Sequence, residues 1–138
     1  MKLLRYGPVG QEKPGLMDED DNIRDLSAHI GDISGYVLRP EGLEKIAALN
    51  VSDLPVVDGS PRFGACVGDI GKFMCIGLNY TDHAAESGMP VPDEPILFAK
   101  FNSAISGPND DVIMPRGSTK LDWEVEFGIV IGSKAKYI

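Results

Sequence analysis

Two acidic side chains separated by one residue carry the clearest chemistry in this chain of 138 residues: Glu124 and Glu126, within Asp122-Trp123-Glu124-Val125-Glu126-Phe127-Gly128-Ile129-Val130-Ile131. On an extended strand alternate side chains share a face, so the spacing predicts both carboxylates on one side, with Asp122 able to join them. Trp123, Val125 and Phe127 would point the other way. A half-exposed strand with one wet face explains the same pattern. The run Phe127 to Ile131, however, is apolar on both faces and predicts burial. A carboxylate pair at the mouth of a buried strand is costly to desolvate unless a cation neutralises it. Oxygen donors alone suit Mg2+, Mn2+ or Ca2+ rather than zinc. Two carboxylates do not complete such a site, so a third protein ligand, water or substrate must supply the rest.

A second group is Asn79-Tyr80-Thr81-Asp82-His83-Ala84-Ala85-Glu86-Ser87-Gly88. His83 and Glu86 are three apart, hence neighbours on one face of a helix, and a carboxylate beside an imidazole raises its basicity and fixes its orientation. Such a pair can activate water. The plain alternative is a solvated His and Glu on a surface helix. Lys100 shares a strand face with Ile96 and Phe98, where an ammonium group suits a bound anion such as a substrate carboxylate. Snorkelling to solvent would serve it equally well.

The elements that must position these groups follow from local signals. Lys2 to Tyr6 reads as a strand, with two shorter ones at Gly15-Leu16-Met17 and Ile23-Arg24-Asp25-Leu26. The acidic turn Asp18 to Asn22 joins them, and it lacks the alternating ligands, central Gly and late Glu of a calcium-binding EF-hand loop. Pro40 to Leu49 reads as a helix that starts on proline and stops at Asn50. Leu54 to Lys72 reads as an irregular connection. Phe73 to Leu78 is a strand feeding a short helix that Asn79 can cap and that Gly88, Pro90 and Pro92 end. Ile96 to Phe101, Val112 to Met114 and Leu121 to Ile131 complete the predicted strands, with Gly107 to Asp111 as a turn. The fold class is α+β and β-rich: a small N-terminal β domain over residues 1–70, then a second unit over 71–138.

The net charge of −8 is spread over both halves. No Lys or Arg cluster exists for phosphate backbones or anionic lipid, which argues against nucleic acid and membrane partners. No apolar run approaches the roughly 20 residues that span a bilayer, and the opening Met1 to Gly7 is too short for a signal peptide; a cytoplasmic location is expected. Cys66 and Cys75, without a CxxC pattern, predict buried free thiols.

Taken together, Gly77-Leu78-Asn79-Tyr80 with His83 and Glu86, then Leu97-Phe98-Ala99-Lys100, then Asp122-Trp123-Glu124-Val125-Glu126 resemble the fumarylacetoacetate hydrolase family in order and spacing. Lys2 to Tyr6 and Gly15 to Met17 also look like the small N-terminal domain of bacterial members. The resemblance implies a β-rich catalytic domain that binds Mg2+ or Mn2+ through Glu124, Glu126 and a later aspartate. It also implies a His83 and Glu86 pair on a mobile lid helix, Lys100 near the substrate, and a homodimer. The family's aspartate and a second lysine lie beyond the Glu-x-Glu strand, so the resemblance further implies a chain truncated within its catalytic domain.

What this implies for chemistry is a small 2-oxo or 2-hydroxy carboxylate as substrate, with a divalent cation stabilising enolate-like charge and His83 moving the proton. Hydrolytic carbon-carbon cleavage, lyase and isomerase reactions all fit, ureidoglycolate lyase being the favoured specific expectation. The rival reading is a non-catalytic metal-binding or interaction module that keeps the fold and lacks the chemistry.

Overall fold

The computed structural model describes residues 1–138. It is a mixed, sheet-rich fold with few helices, and it divides into two units: residues 1–69 with 106–138, and residues 70–105.

The first unit is built on an antiparallel meander of β1 (Lys2–Tyr6), β2 (Lys13–Met17) and β3 (Ile23–Asp25), in that spatial order. Lys2 pairs with Met17 and Tyr6 with Lys13, while Gly15 pairs with Asp25. The β2–β3 turn forms as its composition predicts. Asp18 accepts the backbone N–H groups of Asp20 and Asn22 at 3.0 and 2.8 Å, and Asp21 takes a left-handed φ of 60° that short polar residues tolerate.

Helix α1 (Pro40–Ala47) begins on its proline, whose missing N–H costs nothing there. Gly42 and Ile46, one turn apart, are its buried residues. Gly42 packs so tightly on the carbonyls of Tyr36 and Val37, in a preceding 3-10 turn, that any side chain would overlap them. Ile46 joins Leu16, Leu26 and Leu54 in the core, flanked by Leu3, Ile30, Val37, Leu49 and Val51. Burying side chains of this size contributes about 1.5–3 kcal/mol each, which is why α1 and the meander hold together.

The second unit pairs β4 (Phe73–Gly77) with β5 (Ile96–Lys100), antiparallel, with Phe73 opposite Lys100 and Gly77 opposite Ile96. Between them lies α2 (Thr81–Glu86). The Asn102 side-chain amide donates to the Ile70 carbonyl, which ties the two ends of the unit together.

Four local expectations are corrected. Val112 to Met114 and Leu121 to Ile131 form no strands. A strand exists only as one rail of a hydrogen-bonded ladder. The pairings in this chain join β1 to β2, β2 to β3 and β4 to β5, and none engages these segments. Phe127 to Ile131 is consequently exposed rather than buried. Asn79 does not cap α2: the residue at that position is Tyr80, whose side chain does not cap the helix. Cys66 and Cys75 are free, but Cys66 is exposed and Cys75 only half-buried.

Candidate functional site

Strand β4 leads towards α2 through Leu78, whose φ of 50° lies in the left-handed region. That conformation costs a non-glycine residue about 1–2 kcal/mol, and it turns the chain sharply from strand into helix. Sequence reasoning passed over Leu78, since its neighbours Gly77 and Asn79 are the residue types that ordinarily take such a turn.

Ala84 anchors α2, at 1% exposure. His83 and Glu86, flanking it, are both exposed, and their spacing of three sets them side by side on the helix surface. No hydrogen bond or ion pair joins the two. The backbone N–H of His83 donates to Asp82 Oδ1 at 2.9 Å, so Asp82 supplies the negative charge that a helix start favours. Lys100 is the last residue of β5 and is exposed. Its placement opposite Phe73 leaves it on the strand face shared with Phe98 and Ile96.

Glu124 and Glu126 belong to the first unit and lie in its exposed, irregular stretch. The expected common strand face is absent because the strand is absent. That stretch meets the rest of its unit at Gly132, packed closely on the Leu38 carbonyl. No three His, Cys, Asp or Glu side chains gather anywhere as a metal-holding group. The donor type of Glu124 and Glu126 suits a hard cation, which would need a further ligand beyond these two. A groove of about 300 Å³ in the first unit is lined by residues including Leu3, Met17, Phe63, Cys66 and Pro108, and by none of the five candidates.

Residues 72–138, which carry all five candidates, match the C-terminal domain of fumarylacetoacetate (FAA) hydrolase. They belong to the fumarylacetoacetate hydrolase family. Over 136 residues, 99% of this chain, the sequence is 62% identical to a Burkholderia lata protein named "Putative hydrolase", of which it covers 48%. A Burkholderia multivorans protein is matched at the same 62% identity, 99% and 48% coverage. For a Burkholderia ambifaria relative the identity is 60%, with 99% of this chain and 48% of the relative covered. The chain thus spans about half the length of the curated relatives it matches. No helix in this family member is long and apolar enough to cross a membrane.

Proposed function

We propose that the protein acts as a divalent-metal-dependent enzyme on small 2-oxo or 2-hydroxy carboxylates, in the hydrolase or lyase class, with ureidoglycolate as the specific substrate. The observation that carries this reading is the pair His83 and Glu86 on one exposed side of α2, directly after β4, in a segment that belongs to the fumarylacetoacetate hydrolase family. The relatives' shared name supports the hydrolase class.

In this reading the Glu86 carboxylate turns and holds the His83 imidazole by a hydrogen bond, and His83 takes a proton from water or returns it to the leaving group. The Lys100 ammonium binds the substrate carboxylate. Mg2+ or Mn2+, held by Glu124, Glu126 and a further ligand, would supply Lewis-acid stabilisation of enolate-like charge. The working form is a cytoplasmic homodimer with a small N-terminal β domain followed by a mixed β catalytic domain.

A second reading, a non-catalytic interaction module, is favoured by one observation: Glu124 and Glu126 lie exposed with no third ligand beside them. The two separate in an assay of metal-dependent cleavage of oxaloacetate, an acylpyruvate and ureidoglycolate. The 138-residue chain is expected to turn over none of them. A chain completed to the relatives' length is expected to be active and to lose about a hundredfold or more in kcat with His83→Ala. It should also lose Mn2+ affinity with Glu126→Ala. A completed, folded chain inactive on all three substrates sinks the enzymatic reading.

A further inference from the structure

The first unit contains a ladder of alternating charge whose centre is Arg62. Its Nε and Nη2 donate to Asp110 Oδ1 and Oδ2, both at 2.6 Å. Its Nη1 donates to Glu12 Oε1 at 2.9 Å and to the Gly7 carbonyl at 3.1 Å. Four of the five guanidinium N–H groups are thereby used. The ladder continues through Glu12 to Arg5 Nη2 at 3.7 Å, and Arg5 in turn holds Asp32 with two hydrogen bonds of 2.7 and 3.1 Å.

Asp110 closes its own turn as well, since Oδ2 accepts the Gly107 N–H at 2.6 Å. Gly107 is buried and abuts the Phe63 carbonyl so closely that a Cβ would overlap it. The same short piece of backbone, Arg62 to Phe63, therefore grips both ends of the Gly107 to Asp110 turn, once by charge and once by contact.

We propose that Arg62 is a strap residue: it fastens the turn Gly107 to Asp110 to the N-terminal meander and so fixes where residues 111–138 start. Lysine could not replace it, because a single ammonium cannot meet two carboxylates and a carbonyl in one plane. Both carboxylates fit that role. Arg62 holds Asp110 below the ordinary carboxylate range. For Glu12 the upward push of burial is outweighed by its backbone hydrogen bond and by Arg62 and Arg5. On the function proposed above, the strap sets the point from which the chain runs to Glu124 and Glu126; the strap itself does not depend on that function.

The test is amide hydrogen exchange, read by mass spectrometry on the peptide covering residues 106–111 against peptides from β1 and β2. Arg62→Gln is expected to speed exchange in 106–111 about tenfold with the β1 and β2 peptides unchanged, and Arg62→Lys to give a smaller acceleration. Adding Asp110→Asn to Arg62→Gln should produce less than the sum of the two single effects, because the two residues share one pair of hydrogen bonds. Should Arg62→Gln unfold the meander, Asp110→Asn alone carries the test with the same local signature. Unchanged exchange, acceleration spread evenly over β1, β2 and 106–111, or additive effects of the two substitutions would each overturn the proposal.

Discussion

Arg24 reaches back six residues to Asp18, its Nε donating to Asp18 Oδ2 at 2.7 Å, while its Nη1 donates to the Leu54 carbonyl at 3.1 Å. One side chain thus ties the β2–β3 turn to the backbone of a core residue. Asp18 is held below the ordinary carboxylate range, first by Arg24 and then, against a desolvation cost, by Asn22 and Asp20. Asp18→Ala removes the acceptor of donors from three residues at once, so thermal unfolding should occur at a lower temperature than in Asp20→Ala, whose side chain makes no such contacts. Equal midpoints for the two variants would show that the turn needs no acceptor.

Core and surface leucine-sized groups should separate cleanly. Leu26 is fully buried, at 0% exposure, and Leu26→Ala is expected to cost about 2–5 kcal/mol in urea denaturation. Val125, at 76% exposure, should tolerate replacement by alanine within about 0.5 kcal/mol.

The exposed run from Leu121 to Ile131 presents apolar side chains to water, and such patches drive association. The chain is expected to self-associate, with Val125→Lys and Ile129→Lys together shifting it towards monomer in sedimentation velocity. A wild-type chain that stays monomeric at high concentration would contradict this.

Stability should depend on pH at both ends. Burial, followed by the hydrogen bond and charge of Asp25, pushes the Tyr6 phenol up from 10.0 to about 12. Its contribution is therefore complete below the unfolded value of about 10 and lost as pH rises towards about 12. Tyr6→Phe should flatten the alkaline limb of a denaturation profile in that window. Asp110 and Asp18 have the opposite sign, since both are lowered. Their contribution is present above the unfolded value of about 3.9 and is lost as pH falls below it, so the acid limb should be shallower in Asp110→Asn.

Leu78 offers a test of the strand-to-helix turn. Its left-handed φ of 50° is tolerated by asparagine and strongly disfavoured by a β-branched side chain. Leu78→Val is expected to be less stable than Leu78→Asn by about 1 kcal/mol, with loss of helical signal from α2.

Sequence alone was sufficient wherever the deciding interaction is local. Pro40 starts α1, Asp18 and Asn22 close the β2–β3 hairpin, and Gly88, with a φ of 66°, follows the end of α2 because each signal acts within a few residues of itself. The shared face of His83 and Glu86 was legible for the same reason: once a helix forms, its pitch sets the spacing. Tertiary structure decided what depends on distant partners. The alternation of Glu124 and Glu126 states only that those residues are competent to form a strand; a strand needs another edge to bond, and no segment of this chain provides one. The pairing of Arg62 with Asp110 spans 48 residues and leaves no periodic trace, because charge complementarity fixes which groups attract and only the folded path of the backbone decides which of them meet.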